Sequence, residues 1–254
     1  MKTFYNLLVA EFKLQLWDKK KYPFRTIIQF FVLVFIIVGF FKGSEILSGE
    51  SLMQLKPSLI ISYIMFIGCV TQILSFPGTI SGLREIGVLE QINLSPVKFK
   101  FILLAKIATK VVSKVISAVI MLYLIIYFAN SSQSVNLGNF LFLFITALIS
   151  VLGISFVLAG LELMYRKILQ INFFIMILYG YLMTLEVYPL NFISFIPFIG
   201  AANTARKSSI GLESYSYSWY LFIFVISIIH FVAGVAIFEY FEKLAKKKNS
   251  LCKI

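Results

Sequence analysis

Residues 82–100 read GLREIGVLEQINLSPVKFK, a charged and glycine-bearing stretch set between long apolar runs. Behind it, Val115 to Phe128 carries no Asp, Glu, Lys or Arg, and the same holds for Ile27 to Phe41 nearer the start. About 20 apolar residues make a spanning helix, because a rise of about 1.5 Å per residue then crosses a hydrocarbon core about 30 Å thick. The stretch therefore reads as a polar turn between two membrane crossings, and the chain as a bundle of helices running up and down through a bilayer.

The composition agrees. Apolar residues make up 60% of the chain and charged residues 13%, with 27 Phe in 254 residues; an ordinary soluble domain carries about 45–50% and about 25%. The net charge of +12 could indicate nucleic acid, but such binding needs a continuous basic patch on a solvated surface. Here the basic residues lie between hydrocarbon-length runs, where they act as topology signals and anionic-lipid contacts. Cys69 and Cys252 are far apart and expected at different depths, so no disulfide or metal framework follows. Met1 to Tyr22 alternates charge with apolar residues and lacks a small-residue cleavage site, so no cleaved signal is expected.

Six segments have spanning length: Phe24 to Phe41, Ser58 to Ile80, Lys110 to Phe128, Asn139 to Leu163, Leu169 to Tyr188 and Ser218 to Phe238. With the first end inside, nineteen Lys and Arg fall on the inner side, against Lys42, Lys56, Arg206 and Lys207 outside. The positive-inside rule then puts both termini in the cytoplasm. The expected fold is an all-α polytopic membrane protein with six transmembrane helices over 24–240, an N-terminal amphipathic helix over 1–23, and a basic cytoplasmic tail over 241–254. The plasma membrane is the expected location. Low Arg with high Ile, Lys, Phe and Asn points to an AT-rich bacterial genome.

In the first segment Phe4, Leu8 and Phe12 recur every four residues, with Lys13, Glu11 and Asp18 elsewhere on the wheel. This suits a helix in the inner interface, flanked by Trp17 and Lys19 to Lys21; a solvated helix packing on a soluble partner is the other reading. Ser95 as N-cap and Pro96 at the first helical position predict that the third helix starts below the membrane. Lys106, Lys110 and Lys114 then form one stripe, either snorkelling to anionic headgroups or touching a protein. Before the last span, YPLNFISFIPFIGAANTARK (residues 188–207) is broken by Pro189, Pro197 and Gly200 and is too short to cross. It is expected as a re-entrant pair of half-helices over 189–206, a loop in the outer headgroups being the alternative.

Several chemistries find no residues. No G-x-x-x-x-G-K-[ST] loop occurs, and the only histidine, His230, falls inside the sixth span, where a packed, hydrogen-bonded role is expected. Carboxylates avoid mid-depth: Glu162 and Glu239 fall at the inner ends of spans and Glu186 near an outer end. Glu186 stands between a place on a substrate path and a structural pair. Glycines 68, 153, 160, 180 and 234 could allow close helix contacts, with no individual role assigned.

In residues 82–100, Ile86, Leu89 and Ile92 fall at three-residue intervals and interleave with Glu85, Glu90 and Gln91. That pattern suits a short surface helix with an apolar patch and a charged rim. Gly78, Gly82 and Gly87, with Pro77 ahead of them, would let the chain turn under the membrane. A docking knob and a plain solvated connection both satisfy this pattern.

Glu85, then Gly87-Val88-Leu89-Glu90, then Ser95-Pro96 at the head of a long helix resembles the cytoplasmic loop of type-2 ABC transporter permeases, with Val88 where that family often has Thr. The order of segments is similar too. The resemblance implies a homodimer or a pair with a related permease, carried on two separate ATP-binding-cassette subunits that hold ATP and Mg, with no cofactor in this chain. It also implies a non-catalytic transport subunit exporting an amphipathic drug, peptide antibiotic or lipid-like molecule. Arg84, Glu85, Gly87, Glu90 and Pro96, in a coupling loop over 81–96, are then expected to engage the ATPase. Glu186, Phe195, Pro197 and Phe198 are expected at an external gate or substrate path. Export of a cell-wall polymer or lipid-linked glycan is an alternative, as is a secondary carrier independent of nucleotide.

Overall fold

A computed structural model describes residues 2–24, 27–28, 31–32, 57–93, 99–128, 135–165 and 169–248. The elements are α1 (Lys2–Lys21), α2 (Pro57–Glu85), α3 (Val88–Asn93), α4 (Phe99–Phe128), α5 (Leu137–Met164), α6 (Leu169–Leu182), a 3-10 turn (Phe192–Phe195), α7 (Ile199–Ser208) and α8 (Tyr217–Lys247). No strand occurs among the described residues. Among the described residues, four helices are long and apolar enough to cross a membrane: Ser58–Glu85, Phe99–Leu124, Leu137–Met164 and Tyr217–Lys247.

Two of the six expected spans are not among these four. Most of Phe24 to Phe41 lies outside the described residues. The fifth, expected to run to Tyr188, is helical only over Leu169–Leu182, and 14 residues rise about 21 Å. Its end has a physical cause. Thr184 donates its hydroxyl and its N–H to the Tyr181 carbonyl, while the Asn203 and Asn191 side chains take the carbonyls of Leu185 and Glu186. Acceptors that a continuing helix would use are thus given to side chains of the following segment.

α5 is the hub, buried along most of its length. It runs parallel to α8: Phe142 stacks on Phe224, Gly153 meets the His230 backbone, and Phe156 packs edge-on against Phe238. A Cβ on Gly153 or on Gly234 would overlap backbone of the opposite helix, so these two glycines mark where the helices touch. α2 runs the same way, with Gly68 against the Phe144 ring and the Gln72 carbonyl accepting the Ser155 hydroxyl at 3.1 Å. α4 runs opposite, placing Lys110 at Thr79 and Lys114 at Thr71. α1 lies along α4, joined by the Glu11–Lys106 ion pair and a Lys19–Ser113 hydrogen bond.

The buried apolar residues form two clusters along this bundle. The larger fills the middle and the upper end, where α5 and α8 begin, and includes Met65, Phe140, Phe144 and Ile199. The smaller closes the lower end, where α2 finishes and α4 begins, with Phe76, Ile80, Leu89, Phe99, Phe156 and Phe238.

Candidate functional site

At the lower end the chain leaves α2 only after Glu85. Pro77, Gly78 and Gly82, expected to help it turn, all remain helical; the turn is Ile86–Gly87, with Gly87 at φ 73°, a backbone region that glycine enters without steric cost. The apolar patch expected on this loop is split. Leu89 is buried and Ile92 packs against the lower cluster, whereas Ile86 is 75% exposed beside the exposed Glu85. What projects is therefore the turn Glu85–Ile86–Gly87, while α3 tucks under the bundle.

Arg84, expected to engage a partner, turns inward instead. Its guanidinium donates to the carbonyls of Glu162 at 2.8 Å and Leu163 at 3.2 Å and stands 3.7 Å from the Glu162 carboxylate. The Glu162 side chain is only 1% exposed, so the pair is a buried clasp between the ends of α2 and α5. The last turn of α5 ends the helical ladder, so its carbonyls can take donors from outside the helix, and a planar guanidinium fork suits that array. The side chain of Glu90, and Pro96 as a whole, lie outside the described residues.

At the upper end, the residues expected to gate sit in different surroundings. Phe198 is buried, stacked on Tyr179 at 4.9 Å between ring centres, and holds a left-handed backbone at φ 61° as it opens α7. A bulky residue there costs on the order of 1–3 kcal/mol. The surroundings hold it: its N–H donates to the Ser150 hydroxyl at 3.1 Å, and that oxygen also lies 2.9 Å from His230 Nδ1. Phe195 is exposed and meets Phe222 edge-on, Pro197 is half-buried, and Glu186 is exposed and paired with Lys207 at 3.3 Å. α7 itself is buried from Ile199 through Ala205 and packs on α2 and α5.

The segment around α7 is held largely by polar side chains. Asn191 and Ser194 form a reciprocal cap, the Ser194 hydroxyl donates to the Val187 carbonyl, and the Trp219 indole donates to Thr204 at 2.9 Å. Outside it Lys207 bridges Glu186 and Glu213. The Glu213 carboxylate, bonded by Lys207 and by the Tyr215 hydroxyl, is held below the usual glutamate range. Lys207 is pushed up by the Glu213 bond, and the Tyr215 hydroxyl is pushed up by burial and by the same carboxylate.

No group of three or more His, Cys, Asp or Glu able to hold a metal occurs among the described residues. Two surface recesses stand out, one between α1 and α4 near Phe12 and Val112, the other near Phe142 and Tyr217; both are apolar and neither includes an expected site residue. Comparison with protein-family models, curated proteins and solved structures finds no match to this chain.

Sequence reasoning missed the Ser150–His230–Phe198 junction. Serine in an apolar run and a lone histidine 80 residues later carry no shared signal; only the packing of α5 on α8 joins them.

Proposed function

We propose that the chain is the membrane-spanning permease subunit of an ATP-driven exporter, seated as a pair on two separate ATP-binding subunits and moving an amphipathic cargo outward. The observation that carries this reading is the projecting Glu85–Ile86–Gly87 turn, with an apolar side chain 75% exposed, mounted on a clasp that ties α2 to α5. A groove on a partner would receive Ile86, and a push on it would act on two long helices together, because Arg84 makes their ends one body. On this reading the lower end is cytoplasmic, and α7 with its flanking turns is re-entrant from the outer side. Its buried, hydrogen-bonded irregular backbone is the form such a segment takes at membrane depth.

The roles are redistributed accordingly. Glu85, Ile86 and Gly87 face the partner, Glu90 lies on the short helix α3 that follows them, and Arg84 transmits rather than contacts. The test is the Glu85→Lys/Glu90→Lys double variant, assayed with the ATP-binding subunits that co-purify with the wild-type chain. Transport-coupled ATP hydrolysis should fall at least several-fold with the unfolding temperature unchanged; full coupling in the folded variant would refute the assignment. A chain that transports in liposomes with no nucleotide present favours a secondary carrier instead.

A further inference from the structure

α4 carries four lysines whose surroundings divide sharply. Lys100 pairs with Glu239 and Lys106 with Glu11 at 3.4 Å. Lys110 and Lys114 have no carboxylate within ion-pair distance among the described residues. Lys110 donates to the Thr79 hydroxyl at 3.0 Å; Lys114 donates to the Thr71 hydroxyl at 3.0 Å and lies 3.5 Å from the Gly68 carbonyl.

The position makes this costly. Lys114 is the sixteenth of the thirty residues of α4, and Thr71 the fifteenth of the 29 residues of α2. Both helices are long and apolar enough to cross a membrane. A cation within such a helix costs on the order of 2.5–3.5 kcal/mol on insertion scales and marks a functional site by default.

The donors are also not used up. An ammonium has three N–H groups, so the two lysines offer about six, of which these contacts engage three. Both threonine hydroxyls give their own protons to α2 carbonyls, Thr79 to Ser75 and Thr71 to Ile67 and Gly68, so they serve the lysines only as acceptors. The lysines are one helical turn apart, about 5–6 Å between Cβ atoms. Two lysine side chains with donors unengaged among the described residues fit, at that spacing, the non-bridging oxygens of one phosphate ester. Beside Thr71, Gln72 is fully buried with its amide unbonded, further polar capacity in the middle of α2.

The opening of the notch decides the source. Thr71 is exposed on a helix long and apolar enough to cross a membrane, so the notch opens toward the surrounding lipid. A cationic notch that opens there suits an anionic head joined to acyl chains.

We infer that Lys110 and Lys114, with Thr71 and Thr79, form a binding site in the α2–α4 seam for the phosphate group of a membrane-borne amphiphile. The inference goes beyond the exporter reading and does not depend on it.

The full chain is purified and placed in phosphatidylcholine nanodiscs, with and without phosphatidylglycerol, and lipid retention is read by native mass spectrometry after extraction. Phosphatidylglycerol should be retained at least ten-fold over phosphatidylcholine. The preference should vanish in Lys110→Gln/Lys114→Gln and persist in Lys243→Gln/Lys247→Gln at the exposed end of α8. A preference that survives the first double variant overturns the site, as does its absence from the wild type. Inorganic phosphate that displaces no phosphatidylglycerol supports a membrane-borne ligand; stabilisation of the chain by inorganic phosphate alone overturns it. Should the first double variant not fold, amide exchange in the wild type decides. Residues 68–79 should slow in phosphatidylglycerol relative to phosphatidylcholine, and equal rates overturn the inference.

Discussion

The two ends of the bundle are held by different physics. The lower end is closed by packed rings and aliphatic chains around Phe76, Phe156 and Phe238, with one buried ion pair, Arg84–Glu162, set beside them. The upper end is held by many small polar bonds: Asn191 to Glu186, Asn203 to Leu185, Ser194 to Val187, Trp219 to Thr204, Asn139 to Ser208. Backbone geometry explains the difference. Where helices run unbroken their N–H and carbonyl groups satisfy one another and the remaining task is apolar packing. Where the chain is irregular between Met183 and Phe198, each freed backbone group needs a partner, and Asn, Ser and Thr supply them. The lower end thus rests on packed rings with one buried clasp and the more exposed Lys100–Glu239 pair, while the upper end spreads its load.

That contrast fixes the order of mutational effects, with the lower clasp first. Glu162→Gln keeps the shape but removes the charge that faces the buried Arg84 guanidinium. Losing one partner of a buried pair costs about 3–5 kcal/mol, and the two carbonyl bonds to Arg84 place the expected loss near about 3. Equilibrium unfolding in detergent measures it. A loss under about 1 kcal/mol would mean that the aromatic packing holds this end alone.

Ser150→Ala comes next, since it removes one hydroxyl that serves the Phe198 N–H and His230 together. A buried donor left unsatisfied costs about 1–3 kcal/mol. The loss should be local, with amide exchange at the start of α7 rising before the bundle melts. Asn191→Ala should cost about 1 kcal/mol, the usual value for a lost cap, because Ser194 retains its bond to Val187. If Asn191→Ala destabilised as much as Glu162→Gln, the distributed picture of the upper end would fail.

The sequence disclosed these regions unequally, for the same physical reason. Long apolar runs announce α2, α4, α5 and α8, because a helix that crosses hydrocarbon satisfies its own backbone and needs only apolar side chains outside. The break near Pro189 and Pro197 was legible as well, since proline and short apolar length preclude a crossing. What the sequence concealed depends on partners far away in the chain. Arg84 reads as a loop residue by position, and only the meeting of α2 with α5 makes it a clasp. Leu89 and Ile92 have the spacing of an exposed patch, but α3 lies against the bundle and buries them. The lysine stripe on α4 was visible as a periodicity; which of its members find a carboxylate depends on α1 and α8.

The smallest expected effect lies at the upper rim, in the exposed Lys207–Glu213–Tyr215 group, where solvent screening keeps such a pair under about 1 kcal/mol. Its sign with pH follows from the direction of each shift. The Glu213 carboxylate is held low, chiefly by the Lys207 bond, so its contribution is complete above the ordinary glutamate range and is lost as pH falls through its depressed value. Lys207 is held high, chiefly by the Glu213 bond. Its contribution is complete below the ordinary lysine value of about 10.4 and is lost as pH rises through the raised one. After correction for the intrinsic pH dependence of exchange, protection at residues 207–215 should stay flat from about pH 5 to about pH 10 and weaken at both extremes. Glu213→Gln should abolish the acid transition and shrink the alkaline one, which Glu186 still supports through Lys207, while leaving α7 protected, because α7 is held by Asn203, Thr204 and Ser150 rather than by charge. Collapse of α7 along with the rim in that variant would show that charge, not the web of neutral bonds, holds the upper end.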